Sequence, residues 1–430
     1  MARRVLLVAW GSRGDVAPIV SLGRGLAAAG DTVSVLASRD FEAMITSAEL
    51  RYRPFDVHIK AVAQSAEGRS WLGGHRSLIG ESRALERVLD RYAQPMIEGM
   101  WSETGDVDVV ISSVLTADAC ASLTRARGQS HALALLAPVL PSRRGASSPS
   151  ALAPHRDSAL NAAFGAAVLR ASYRLVRVPG DEIRRRLGHD RTRASWLARQ
   201  LTQMPIVVGT SPLVVPPAPD QPQVRMTGYW PPYSQTPSAE AERARIESSL
   251  SAARASGKQV VFLSFGSMTT ADPQESAYLL VHAAAAAGVH AVIGRGWGDV
   301  PAHLKDRDDL TLVGEVPHEW LFAQCDAVVH HGGAGTTGSA IRAGRAQVVV
   351  AHMGDQPYWA RRAEALGVAG AGLRRTGLTS ARLAAAITAT TTGPDAEQMR
   401  HAAGELAASV GAEDGVSAAV AALRPEVFEI

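Results

Sequence analysis

Between residues 330 and 359 the chain reads His-His-Gly-Gly-Ala-Gly-Thr-Thr, then an apolar strand, then Met-Gly-Asp-Gln-Pro-Tyr-Trp. The first part leaves an apolar strand ending at Val329, crosses a glycine-rich loop and enters an alanine-containing helix. A helix start carries unpaired N–H groups and partial positive charge, so this order suits an anion such as a diphosphate. The second part sets a carboxylate and an amide side by side, Asp355 and Gln356, just after the apolar run 347–351. In an α/β sheet both loops leave the carboxyl ends of strands, where ligands bind. Asp355 and Gln356 suit sugar hydroxyls, although helix capping ahead of Pro357 explains the same residues, and Trp359 either walls that pocket or packs in the core. His331, Gly333, Gly335 and Thr336 are the candidate diphosphate contacts: glycines permit close backbone approach, and the imidazole and hydroxyl add donors. Gly266 and Ser267 end another apolar run and occupy a similar turn. A metal at His330 and His331 is disfavoured because neighbours on an extended strand point to opposite faces.

A second chemical candidate opens the chain. Trp10-Gly-Ser-Arg-Gly-Asp-Val-Ala-Pro18 follows the apolar run 5–9 and places Asp15 at a strand-to-helix turn. Asp15 reads as a helix N-cap and as a carboxylate available for proton transfer; the two are compatible. Ser12, Arg13 and Gly14 shape that loop, with Arg13 either orienting Asp15 or facing solvent. The Arg-Gly-Asp tripeptide within it needs no adhesive role.

These motifs resemble those of family-1 glycosyltransferases. The signature Val-Pro-His-Glu-Trp-Leu-Phe (316–322), the His-His-Gly-Gly block and Gly-Asp-Gln-Pro-Tyr-Trp are similar to that family's donor site. The Gly-Ser-Arg-Gly-Asp-Val opening is similar to its sterol-glucosyltransferase-like and antibiotic branches, about 315 residues away. The resemblance implies an α/β, GT-B architecture of two Rossmann-like parallel-sheet domains facing across a cleft. It also implies an inverting, metal-independent transfer of a hexose to an amphipathic small-molecule hydroxyl, with Asp15 as base. Plant-type relatives use a histidine in the first loop and a second Asp in a later one; here the first loop has no histidine, and the later one reads Ser112-Ser113. The base pocket departs as well. The stacking tryptophan is replaced by Glu315, followed by Val316 and His318, so Trp297 in a glycine-rich loop either stacks on the base or anchors its loop. The ribose-gripping glutamate is Ser339 here, which admits a dTDP-sugar as readily as a UDP-sugar. Alternatives are a catalytically silent binding or auxiliary protein of the same architecture, or a nucleotide-sugar epimerase.

The elements that must hold these residues follow from pattern. At 430 residues and 46% hydrophobic content, the chain exceeds one ordinary core. Apolar runs at 5–9, 31–37, 107–112 and 131–138 alternate with helical stretches around 16–29, 82–100, 117–127 and 158–187. After a proline-rich tract, runs near 259–267, 289–293, 310–313, 326–330 and 347–351 do the same. Alternation predicts doubly wound parallel sheets. Eight prolines between 212 and 237 argue for an interdomain segment. The expected division is 1–211 for the acceptor, a linker over 212–240, 241–413 for the donor, and 414–430 as a helix crossing back to the first domain.

Composition sets further bounds. No apolar run reaches the ~18 residues of a membrane span, and Met1-Ala-Arg-Arg runs straight into a strand, which predicts no leader and a cytoplasmic protein. Cys120 and Cys325 have no zinc-like spacing, so neither metal nor cofactor is expected beyond the donor itself. Residues 1–215 carry a net charge of +8 and the remainder −5; residues 141–199 alone hold 12 arginines against 4 acids. That segment is either a solvated arginine-decorated helical pair or a positive mouth for an anionic acceptor or a membrane surface. Nucleic acid is not expected, since no aromatic platform accompanies the arginines; a monomer or homodimer is.

Overall fold

The computed structural model describes residues 2–72, 78–189, 194–233, 239–268, 273–294, 307–314 and 316–424. Thirteen strands are assigned among them, every pairing between them parallel: β1 (Arg4–Val8), β2 (Thr32–Ser38), β3 (Arg51–Phe55), β4 (Val109–Ser112), β5 (Ser130–Leu135), β6 (Ile206–Val208), β7 (Val224–Met226), β8 (Val260–Ser264), β9 (His290–Gly294), β10 (Leu310–Val313), β11 (Ala327–His330), β12 (Ala346–Ala351) and β13 (Leu373–Arg374). The first sheet has the order β3-β2-β1-β4-β5-β6-β7, and the second β10-β9-β8-β11-β12-β13. The chain therefore forms the two parallel α/β sheets expected from its alternating pattern.

The central strands read as unbroken apolar runs because helices cover both of their faces. In the first unit Leu7, Val33, Val35 and Ile111 pack with Val20, Leu22 and Leu26 of the helix Arg13–Ala28. In the second, Leu263, Ile293, Val329 and Val350 pack with Leu280 and Ala284 of the helix Pro273–Ala286.

The proline-rich tract requires a correction. Residues expected as a linker from 212 belong to the first unit, which comprises Met1–Val62, Ser82–Gln235 and Glu413–Ile430; the second comprises Ala63–Glu81 and Thr236–Ala412. β7 lies inside that tract and pairs with β6 as the edge of the sheet. Trp230 and Tyr233 are buried there: the Trp230 indole donates to Thr227 Oγ1 and the Gly415 carbonyl, both at 3.1 Å, and the Tyr233 hydroxyl donates to the Ser47 carbonyl at 2.7 Å. Prolines are barred from central strands but tolerated at edges, so proline density here marks an edge rather than an unstructured connection. The helix Gly415–Ala422 contributes Ala419 and Val420 to the same core.

The arginine-rich segment is more internally paired than its composition suggested. Arg184, on the helix Ala159–Arg186, grips buried Asp118 through two bonds of 3.0 and 2.9 Å and adds Asp181 at 2.8 Å. Burial lifts the Asp118 carboxyl, the guanidinium opposing it, while the carboxylates hold Arg184 firmly charged. Arg185 and Arg186 bond Glu182, and Arg186 also bonds Glu98. Cys120 and Cys325 are buried free thiols. Among the described residues no helix is long and apolar enough to cross a membrane.

Candidate functional site

Both sheets change winding direction once. In the first, β2 and β4 flank β1; in the second, β9 and β11 flank β8. Loops leaving such points open a crevice at the strand ends, and both motifs read from the sequence leave them.

In the first unit the loop after β1 is anchored by Trp10, which packs edge-on against Phe55 with ring centroids 5.3 Å apart. Gly11 has φ +144°, and a methyl group there would collide with the Asp15 carboxylate. Ser12 caps the helix Arg13–Ala28, and both its N–H (2.7 Å) and its hydroxyl (3.0 Å) donate to Asp15 Oδ2. The N-cap is therefore Ser12 rather than Asp15, which stands at the third helical position and closes the capping box from there; this leaves the base reading open. Asp15 keeps exposed surface, yet surrounding protein strips enough hydration from its carboxyl to raise its pKa, the two Ser12 bonds opposing this in part. Arg13 and Gly14 form the first helical residues beside it. Ser112, at the end of neighbouring β4, is turned to His131, 2.9 Å from its Nε2.

In the second unit the loop after β8 and the loop after β11 meet at His331. A methyl group on Gly266 would come within 3.0 Å of its Cε1, and one on Gly333 within 2.5 Å of its Nε2. Two glycines thus leave space for one imidazole, and Gly266 takes the left-handed φ of +59° that suits glycine. Burial, aided by neighbouring His330, His352 and His318, pushes the His331 pKa well below its usual value, so the ring is neutral. Its Nδ1 is buried without a hydrogen-bond partner. Gly333 is the N-cap of the helix Ala334–Arg342; no side chain caps that helix, and its first turn holds no acid. Gly335 and Thr336 lie half-buried in that turn, and Ser267 is half-buried beside Gly266. Unfilled N–H groups, a positive helix end and a neutral imidazole form a cradle for an anion.

His330 is structural. Its Nδ1 accepts the Gly332 N–H at 3.0 Å, so Nε2 carries the proton and donates to Gln347 Oε1 at 2.9 Å. Both nitrogens are engaged inside the core, in keeping with the opposite-face argument against a paired-histidine metal site.

Asp355 and Gln356 follow β12 and open the helix Gln356–Ala365. The Asp355 side chain does not cap that helix; its Oδ2 accepts the Trp359 indole N–H at 2.7 Å. Trp359 is fully buried, so core packing and control of Asp355 coincide. Gln356 differs from expectation: its carbonyl oxygen already accepts the N–H groups of His352 (2.7 Å) and Met353 (3.1 Å), which holds the loop shape. Only its amide nitrogen points elsewhere, toward Met268 Sδ at 3.4 Å, a weak acceptor. Buried His352 donates from Nδ1 to the Val350 carbonyl at 2.9 Å, and lost hydration lowers its pKa to about 4.

The base-pocket candidates divide. His318 begins the helix His318–Ala323 after β10, exposed and stacked on Phe322 at 4.6 Å, with half-buried Val316 just before it. Trp297 and Glu315 lie outside the described residues. Sequence reasoning missed Gly11, which gives the Asp15 carboxylate its room, and the bond between Trp359 and Asp355. The four-residue spacing on a helix that brings Trp359 back to Asp355 was the available signal.

Comparison with known proteins bears on the fold that carries this site. Residues 284–422 match the family described as Erythromycin biosynthesis protein CIII-like, C-terminal domain. A sterol 3-beta-glucosyltransferase of Komagataella phaffii is 27% identical over 453 residues, covering 99% of this chain and 34% of its own length. The chain thus spans about a third of the curated relatives it matches. The glycotransferase of kitacinnamycin superposes with a TM-score of 0.65 at 19% identity, covering 98% of each chain. The Streptomyces sp. SF2575 glycosyltransferase SsfS6, complexed with thymidine diphosphate, gives 0.57 at 20% identity over 97% of this chain and 98% of its own. The fold is GT-B.

Proposed function

We propose that this chain of GT-B fold is a family-1 glycosyltransferase that moves a hexose from a UDP- or dTDP-sugar to a hydroxyl of an amphipathic small molecule, with inversion and without a metal. The carrying observation is the neutral His331, fitted between Gly266 and Gly333 at an uncapped helix start. In the proposed reaction Asp15 takes the acceptor hydroxyl proton as the acceptor oxygen bonds the anomeric carbon. The bond from that carbon to the diphosphate breaks, and its electron pair leaves on the diphosphate oxygen. The developing charge is met by the N–H groups of the helix Ala334–Arg342, by Thr336 and by a hydrogen bond from His331, preorganised donors each worth about 3 kcal/mol. A neutral imidazole donates one such bond without needing to be charged. Asp355, oriented by Trp359, accepts from sugar hydroxyls, and the Gln356 amide leaves the Met268 sulfur for a better acceptor. Val316 and His318 border the base. A carboxylate of raised pKa suits Asp15, because a base gains strength as its pKa approaches the working pH. The sterol and antibiotic relatives support an apolar-bodied acceptor that bears a hydroxyl.

The test is thermal unfolding of the chain with UDP, dTDP, UDP-glucose and dTDP-glucose, and of His331→Ala with the same ligands. Saturation at 100 times the dissociation constant is expected to add about 2.7 kcal/mol. The shift should vanish in the variant, and the larger of the UDP and dTDP shifts names the base. No shift at millimolar nucleotide overturns the donor site and points to a silent auxiliary protein.

A further inference from the structure

Among the described residues, the large apolar side chains that stand exposed are Val114, Leu152, Leu160, Phe164 and Leu213. All lie in the first unit, on the segments that follow β4, β5 and β6, three neighbouring strands. A buried amide gathers the middle of this set. Asn161 Nδ2 donates to the carbonyls of Arg143 (3.2 Å), Ala153 (3.1 Å) and Arg156 (2.9 Å), and its Oδ1 accepts the Ala153 N–H at 2.8 Å. Leu152 and Leu160 are the chain neighbours of this knot. The Leu213 segment is tied in as well: Asp220 accepts from Ser142 Oγ and the Arg143 N–H, both at 2.7 Å, and Arg144 donates to the Pro217 carbonyl at 2.8 Å. The segments that carry Leu152, Leu160 and Leu213 are therefore held in place by built structure.

The helix Ala159–Arg186 continues the pattern. Leu160, Ala163, Phe164, Ala167 and Ala171 are exposed at helical spacing, an apolar stripe facing out where such a stripe ordinarily turns to a core. Arg143, Arg156 and Arg170 are exposed around it and form no ion pair with the described residues. The acids nearby are Asp157 and Asp220, the latter occupied by Ser142 and Arg143.

We propose that this face docks on an anionic lipid bilayer, with Leu152, Leu160 and Phe164 entering the headgroup boundary and the arginines meeting lipid phosphates. Apolar side chains rimmed by cations are the composition of an interfacial surface, and contiguous exposed apolar area marks an interaction site. A second copy of the chain would set arginines against arginines. A small soluble acceptor is a poorer match for Leu160 and Leu152, which at 67% and 57% exposure stand out from the surface. The proposal is independent of the donor-site reading.

It is tested by sedimenting the full chain with vesicles of phosphatidylcholine alone and of a two-to-one mixture of phosphatidylcholine and phosphatidylserine. Binding is expected to the mixed vesicles only and to weaken with salt. Arg143→Gln with Arg156→Gln should weaken it about 30-fold, at about 1 kcal/mol for each arginine, and Leu160→Glu with Phe164→Glu at least as far. Unchanged unfolding temperatures and an unchanged nucleotide shift in these variants separate the result from misfolding and from the donor site. No binding to anionic vesicles overturns the proposal, as does wild-type binding by the variants. Loss of transfer to a soluble acceptor without any vesicle binding assigns the face to the acceptor instead. A dimer that the variants dissolve assigns it to a second copy.

Discussion

The helices Arg13–Ala28 and Ala334–Arg342 follow β1 and β11, strands on opposite sides of the switch points of their two sheets, and they are completed in opposite ways. The first has Ser12 as cap and Asp15 folded back on it, so the chain's own carboxylate meets the positive helix end. The second has glycine as cap, no capping side chain and no acid in its first turn, and a neutral histidine stands beside it. Two strand-to-helix turns thus give a carboxylate folded onto one helix start and an uncapped helix start open to an anion at the other. The electrostatics diverge with them: lost hydration raises the Asp15 pKa and lowers that of His331, because burial always disfavours the charged form.

The strongest way to break this contrast is Asp15→Asn, which keeps the cap and removes the base. Transfer should fall about 10²–10⁴-fold while the dissociation constant for the nucleoside diphosphate, read by calorimetry, stays put. In the unsubstituted protein the rate should decline as pH falls through the raised Asp15 pKa, and a flat acid limb would count against a carboxylate base. The next effect is on stability. His330 and His352 are buried and neutral, each with its pKa lowered to about 4. Between that value and the unfolded value near 6.5 the unfolded chain binds more protons, so their contribution is complete above about pH 6.5 and is lost on acidification. Each should cost about 2 kcal/mol by pH 5, read as a lower denaturant midpoint than at pH 7; equal midpoints would mean that these rings are charged in the folded state. The smallest change sharpens the sugar side. Trp359→Phe keeps the packing and removes the bond to Asp355, so KM for the donor should rise about tenfold, as for the loss of one hydrogen bond to a charged group of about 1.5 kcal/mol. The dissociation constant for the diphosphate nucleotide without sugar should not move.

Central strands and both glycine-rich loops were legible because they are local. The apolar run at 5–9 is seen as β1 at Arg4–Val8, and the helical stretch 158–187 as Ala159–Arg186. What escaped was edge structure. β3 reads Arg-Tyr-Arg-Pro-Phe and β7 Val-Arg-Met, short and polar because a strand with one neighbour needs neither two apolar faces nor every backbone donor. Arg184 was likewise counted with a charged surface because composition does not reveal that Asp118 lies opposite it. Gln356 was placed at the site by its neighbour Asp355, and only the loop bonds from His352 and Met353 show how its carbonyl is used.

By itself the sequence determined which residues could hold phosphate, sugar and proton, and that they sit at strand ends, since both are matters of residue type and short spacing. The tertiary structure decided how those residues are used. Gly11 makes room for Asp15, Gly266 and Gly333 for His331, and Trp359 turns Asp355. Gly266 and His331 lie far apart in the chain and come into register only when β8 and β11 pair side by side. Burial then sets the charge state, because hydration is lost only where distant segments close around a group.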